Sequence, residues 1–274
     1  MLKAENGASS SKRRLRPGFP KMLSYGDLAY YFAAVISVTL FGLSKGGLSA
    51  LGALGIPVLA LAVSPVKAAA ITLPILIVQD WVGVWALRRD FDLRNLLILV
   101  PSSMLGVGAG WIMASHVSDA VVKMAVGLIS LGFVAFMLVR DRMASSTATK
   151  ADIAPGIFWG AVSGFTSFVS HAGGPPFLVY AMPQRLEPRI FAGTSVIFFA
   201  LVNLLKIPPY FLLGQFSREN LLQSLILLPV GIVSTLAGVW LTRVIPMEKF
   251  YKALLVLSFV VGVKLLYDGL AQML

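Results

Sequence analysis

Long apolar runs separated by short polar breaks dominate the chain, at about 28–63, 66–87, 95–115, 121–139, 157–182, 189–213, 221–242 and 250–267. A membrane-spanning helix needs about 20 residues at 1.5 Å rise each. The first run, at 36 residues, is too long for one straight span and too short for two. It is interrupted by Gly42-Leu-Ser-Lys-Gly-Gly-Leu-Ser-Ala-Leu-Gly-Ala-Leu-Gly55. Glycine lowers helix stability by roughly 1 kcal/mol per residue. The pattern therefore predicts a helix, a glycine-rich break and a second short or re-entrant helix. The run 157–182 carries the same ambiguity, with its break at Ser170–Pro176. The fold class read from this pattern is an all-α polytopic membrane protein of about eight transmembrane segments.

An ordered internal repeat points to two homologous four-segment halves, the first segment of each broken or re-entrant. Ser44-Lys45-Gly46-Gly47 returns as Ser170-His171-Ala172-Gly173-Gly174. Pro65…Thr72 pairs loosely with Pro188…Thr194, Phe91…Asn95 with Phe216…Asn220, and Gly106…Gly110 with Ser234…Gly238. The domain reading is a basic arm over 1–25, one repeat over 26–140, a polar linker over 141–153 and a second repeat over 154–274. Small residues every fourth position (Ser102, Gly106 and Gly110; Ser234 and Gly238) predict that the third and seventh segments pack inside.

Composition agrees: 57% of residues are hydrophobic and 13% charged, against about 25% charged in soluble domains. The absence of cysteine excludes disulfides, thiolate metal sites and thiol nucleophiles. Two histidines, His116 and His171, are too few for a histidine-rich metal centre, and no cofactor is expected. The net charge of +11 lies mostly at segment ends, where membrane topology and anionic lipid explain it better than nucleic acid. The arm, Arg88…Arg94 and Arg140…Lys150 share a side if the first run crosses once, which places the N-terminus in the cytoplasm. Arg185 and Arg189 join that side if the fifth run enters and returns. The first apolar run is longer than a signal-peptide core and lacks an Ala-x-Ala ending, so it reads as retained.

Two interrupted segments at matching places in two halves point to a transporter's substrate site. Lys45 is the sharpest candidate, because a lysine at membrane depth costs at least about 2.5 kcal/mol. Ser44, Gly46 and Gly47 flank it; Ser170, His171, Gly173 and Gly174 hold the equivalent places, and Asn203 falls at the repeat equivalent of Asp80. Freed backbone N–H groups suit a small anion. Pro175-Pro176 predicts a helix start aimed at the second break. Asp80 and His171 are the candidates for exchanging a coupling proton, although pairing of Asp80 with Lys206 or another cation is the slightly favoured reading. Thr72, Thr194 and Ser195 either line a cavity or bond their own helices. His116 and Asp119 read as a solvated loop. Lys123, Lys249, Lys252 and Lys264 read as snorkelling ends, and Trp81, Trp85, Trp111, Trp159 and Trp240 mostly as interfacial belts.

The block Ser170-His-Ala-Gly-Gly-Pro-Pro-Phe177, with Phe191-Ala-Gly-Thr-Ser195…Asn203…Lys206-Ile-Pro-Pro-Tyr-Phe-Leu-Leu-Gly-Gln-Phe216, resembles the TauE/SafE family of bacterial membrane permeases. The resemblance spans roughly 28–270. It implies an inner-membrane secondary transporter for sulfite, sulfoacetate or another organosulfonate, or thiosulfate, with protons as the candidate coupling ion. Ser44-Lys45 departs from the glycine run that many members carry in the first break. The residues alone leave open a passive small-anion channel and a permease for a non-sulfur carboxylate. An intramembrane enzyme is disfavoured, since no clustered histidines, paired aspartates or Ser/Lys dyad with a base is evident. The lipid bilayer and a small anion are the expected partners; monomer or homo-oligomer stays open.

Overall fold

The computed structural model describes residues 25–46, 49–114, 116–143, 149–241 and 248–273. The helices are α1 (Tyr25–Lys45), a 3₁₀ segment (Ser49–Leu54), α2 (Gly55–Leu59), α3 (Pro65–Leu87), α4 (Leu93–Ala114), α5 (Asp119–Met143), α6 (Ile153–Ser170), α7 (Gly174–Ala181), a 3₁₀ turn (Met182–Gln184), α8 (Pro188–Leu205), α9 (Ile207–Leu212), α10 (Arg218–Leu241) and α11 (Glu248–Ala271). No strand occurs among the described residues, and seven of the described helical stretches are long and apolar enough to cross a membrane. Phe32, Leu97, Leu105, Leu138, Leu225 and Val256 point outward, as lipid-facing side chains do. Trp81, Trp85 and Trp240 are likewise exposed.

Both long ambiguous runs fold back on themselves. In the first, Ser37 Oγ on α1 donates to the Gly55 carbonyl at 2.7 Å. The Phe41 and Ser44 side chains lie against Gly55 and Gly52. Residues 49–59 therefore return along α1. In the second, Ser163 Oγ on α6 donates to the Gly173 carbonyl at 2.7 Å, and Tyr180 Oη on α7 donates to the Asp152 carbonyl at 3.1 Å. The end of α7 thus sits beside the start of α6. Each hairpin leaves at the end where it entered.

The two hairpins enter from opposite ends. At one end, Lys67 pairs with Glu219 at 2.7 Å, Tyr30 Oη donates to Gln223 at 3.4 Å and Ser224 Oγ donates to the Ile71 carbonyl at 2.7 Å. These contacts gather the starts of α1, α3 and α10. At the other end, Arg189 pairs with Asp90 at 2.9 Å, Asp92 N–H donates to Thr194 Oγ1 at 2.8 Å and Arg94 Nε donates to the Ala151 carbonyl at 3.0 Å. Here α3 ends and α4, α6 and α8 begin. The condition under which the basic arm would share a side with Arg88…Arg94 is not met: the first run returns, and α1 starts opposite the arginine end. Arg185 and Arg189 do join that end, because the fifth run enters and returns. Residues 1–24 lie outside the described residues, as do 144–148 of the linker.

The ingoing helix of each hairpin packs on a distant helix: α1 on α10, and α4 on α6. The central pair is α3 with α8, and α5 packs on α11. Small residues set these separations, as expected for the third and seventh segments. A Cβ on Gly106 would fall onto the Ala161 carbonyl oxygen of α6, and one on Gly42 onto the Ser234 side chain of α10. The helices touch backbone to backbone there, a mode that supplies dispersion where lipid removes the hydrophobic drive.

Two outcomes follow. Single cysteines at Asp152→Cys and Glu187→Cys, in this cysteine-free chain, react with a membrane-impermeant maleimide from the same face, and Glu219→Cys reacts from the other. Labelling of the first two from opposite faces would mean that the chain crosses between them. Gly106→Leu forces a branched side chain into α6 and lowers stability by about 1–3 kcal/mol or more, read as a drop in Tm of the detergent-solubilised protein; an unchanged Tm would remove the close α4–α6 contact.

Candidate anion site at the two helix breaks

The breaks form where the local sequence cannot continue a helix. α1 stops at Lys45, and the Gly46 N–H still reaches back to the Gly42 carbonyl at 2.9 Å. α6 stops at Ser170, and His171 takes the left-handed conformation (φ 51°, ψ 21°), which is uncommon outside glycine. Its N–H bonds the Ser167 carbonyl at 3.0 Å, closing a left-handed helix cap. α7 then begins with Pro175 and Pro176 in its first turn, as the sequence predicts. Those prolines carry no N–H, and the Phe177 N–H bonds the Gly173 carbonyl. Gly173 and Gly174 stand at the start of α7, at the break itself. The two breaks meet: the Phe41 and His171 rings lie 5.9 Å apart, and Ala53 and Ala172 share one apolar cluster.

Around this meeting point sits a chain of polar side chains. Lys45 Nζ pairs with one oxygen of Asp80, and Asn203 Nδ2 donates to the other. Lys45 also lies 5.5 Å from the centre of the Phe199 ring. Asp80 thus pairs with a cation, as the favoured sequence reading has it, and the cation is Lys45 rather than Lys206. α1 ends at the level of Asp80 and delivers Lys45 there, whereas Lys206 follows the last turn of α8 and turns toward α6. The Lys206 amine donates to Ser167 O at 3.1 Å and to Ser167 Oγ at 3.2 Å, and lies 2.7 Å from His171 Nδ1. His171 Nε2 lies 3.1 Å from the Ala69 carbonyl. Both ring nitrogens thus face a carbonyl, Nε2 that of Ala69 and Nδ1 that of Ser167 at 3.1 Å, with the Lys206 amine against Nδ1 as well. Tyr210 Oη donates to the Phe168 carbonyl at 2.9 Å, bracing the end of α6.

The charge count is uneven. Lys206 is 0% exposed, Asp80 3% and Lys45 17%. Among the described residues, Asp80 and Lys206 are the charged side chains in the buried class, and no carboxylate lies within ion-pair distance of Lys206. A buried charge is normally paired or made neutral. Here the Lys206 amine rests on Ser167 O, Ser167 Oγ and His171 Nδ1, with no carboxylate beside it among the described residues.

The other sequence candidates fall around this core. Ser44 lines the last turn of α1, and the Gly173 carbonyl serves Ser163. Ser170 Oγ bonds back to the Thr166 carbonyl at 3.2 Å, and Asn203 holds Asp80. Gly47 lies outside the described residues. Thr72 and Thr194 bond their own helices, at 2.9 Å to Ala68 O and 2.7 Å to Ile190 O, and Ser195 stays half-buried. His116 is exposed near the Ile112 carbonyl, and Asp119 opens α5. Lys206 and Ser167 were missed as site residues. The signal for Lys206 was available: it interrupts Leu204-Leu205 and Ile207, the same evidence that singled out Lys45. Among the described residues no three His, Asp or Glu side chains converge as a metal site.

A cavity of about 30 Å³ lies beside the site, lined by Val66, Ala69, Gly110, Met113, Phe168 and Tyr210 among others. Its volume is that of about one liquid water.

The model of the family "Sulfite exporter TauE/SafE" matches residues 34–265, a stretch that takes in both breaks, Asp80, Asn203 and Lys206. No curated protein and no solved structure matches the chain. Proteins of this family are membrane permeases rather than enzymes. With most of its length matched and seven apolar helices around two broken hairpins, the chain belongs to the sulfite exporter TauE/SafE family.

Proposed function

We propose that this chain is a secondary transporter that carries a small sulfur-containing anion (sulfite, sulfoacetate or another organosulfonate, or thiosulfate) across the bacterial inner membrane by alternating access. The observation that carries the reading is Lys206, a buried amine on neutral acceptors where two helix breaks meet. An anion that replaces one of these acceptors brings a counter-charge to a buried amine that has no carboxylate beside it. Gly173, Gly174, His171 and Lys45 are the other contacts of this reading, with Ser44, Gly46, Ser170 and Asn203 beside them. Coupling to protons belongs to the same reading, with Asp80 and His171 as the groups able to exchange one.

The architecture behind it is eight segments in two inverted repeats. Several regularities support this. Ser37 and Ser163, the two hairpin ties, stand 126 positions apart, as do Lys45 and His171. Asp80 and Asn203 stand 123 apart, as do Pro65 and Pro188, and bond to each other. The moving bodies, however, are not the sequence halves. Because α1 packs on α10 and α4 on α6, each body combines a hairpin with a helix of the other half. The ends bearing Arg88, Arg89, Arg94, Arg185 and Arg189 face the cytoplasm by the positive-inside rule, which sets the start of α1 on the outer side and replaces the expectation of a cytoplasmic N-terminus.

The closed surroundings of Lys206 favour a carrier over a passive channel. In proteoliposomes, sulfite uptake saturates and is accelerated by sulfite on the opposite side. Lys206→Met lowers it at least about tenfold, since the lost bond to a charged group is worth 1.5–3 kcal/mol. Flux that neither saturates nor responds to opposite-side substrate would favour a channel; acetate competing better than methanesulfonate would favour a carboxylate permease.

A further inference from the structure

Two basic nitrogens touch where α6 ends, one from the Lys206 side chain and one from the His171 ring. We infer that Lys206 and His171 act together as the proton-coupling site: the pair is uncharged while the site is empty, and it takes up one proton with each anion that binds. This rests on the reading of the breaks as the substrate site, and it assigns the coupling proton to a pair rather than to Asp80.

Lys206 Nζ and His171 Nδ1 lie 2.7 Å apart, and each also lies 3.1 Å from the Ser167 carbonyl. A nitrogen–nitrogen contact this short needs a hydrogen on one atom and a lone pair on the other. An ammonium facing an imidazolium has no lone pair between them, so the pair holds at most one positive charge. One added proton, in contrast, finds acceptors on whichever residue it settles. Ser167 O serves both Nζ and Nδ1, Ser167 Oγ stands 3.2 Å from Nζ, and the Ala69 carbonyl stands 3.1 Å from Nε2. The counter-charge is the missing part. Lys206 is 0% exposed, and among the described residues no carboxylate lies within ion-pair distance of it. A buried charge without a partner is costly, and a bound anion is the partner that removes the cost.

The other titratable groups around the pair are already engaged. Asp80 on α3 gives one oxygen to Lys45 of α1 and the other to Asn203 of α8. Tyr210 of α9 stacks on the His171 ring and spends its hydroxyl hydrogen on the Phe168 carbonyl at 2.9 Å. The α6 segment itself carries no titratable side chain. Proton uptake is therefore a property of the pair and not of the anion's own charge, so it holds for a monoanion and for a dianion alike.

The test counts protons. The purified full-length protein in detergent is titrated with methanesulfonate and with thiosulfate, whose charges stay fixed at neutral and alkaline pH. Calorimetry in two buffers of unlike ionisation enthalpy, at one pH, gives the protons taken up per anion bound. Above neutral pH, wild type takes up close to one proton with either anion, and its affinity falls by up to about tenfold per pH unit. Lys206→Arg places a guanidinium that keeps its proton; it binds without proton uptake and loses the pH dependence. Asp80→Asn still takes up a proton, whatever its affinity. Binding to wild type with no proton uptake would overturn the coupling pair and leave the anion site standing. Uptake retained in Lys206→Arg, or lost in Asp80→Asn, would move the proton to another group. Where Lys206→Arg does not fold or bind, the wild-type and Asp80→Asn counts decide between the pair and Asp80. Failure of both anions to bind wild type would overturn the anion site itself.

Discussion

A peptide group inside hydrocarbon has no water to turn to, and every departure from helix in this protein is shaped by that fact. The break after Lys45 and the break after Ser170 free backbone groups at depth. They persist because each is covered. A serine on the ingoing helix holds a glycine carbonyl on the returning arm, at 2.7 Å in both hairpins. The left-handed His171 caps α6, and prolines begin α7 without adding donors that need partners. Backbone contact at Gly42 and Gly106 then seals the hairpins against α10 and α4 without room for lipid.

The same enclosure makes the charges informative. A Lys–Asp pair in a dry interior contributes little net stability, since desolvation offsets attraction. Lys45 and Asp80 read best as a pair that holds the end of α1 to α3 while adding no net charge. Lys206 differs in kind. Its amine reaches Ser167 and His171 and so ties the end of α8 to the break after α6.

Much of this was written in the order of residues. Run lengths gave the helices, the glycines and Pro175-Pro176 gave both breaks within a few positions, and spacing of small residues marked the helices that pack tightly. What could not be read was the return direction of each hairpin. Thirty-six apolar residues accommodate either a crossing or a return; the choice is made by contacts such as Tyr180 with Asp152, and these depend on three-dimensional neighbours. Which cation pairs with Asp80, Lys206 or another, stays open in the sequence for a related reason. Lys206 lies close to Asn203 along the chain, but Lys45, far away in sequence, is set beside the carboxylate by the end of α1. Pairings within an element are visible in sequence, and pairings between elements are decided by where helices stop.

The exchanged packing of α1 with α10 has a consequence for how the protein is made. Domains assemble from the N-terminus as the chain is synthesised. The hairpin over 25–59, with its lysine and interrupted backbone, emerges long before residues 218–241 exist to cover it. The nascent protein therefore has to keep a polar, half-wound segment shielded until its late partner arrives, whether by the insertion machinery or by holding that segment out of the lipid. Biogenesis of this permease is tied to its own penultimate helix.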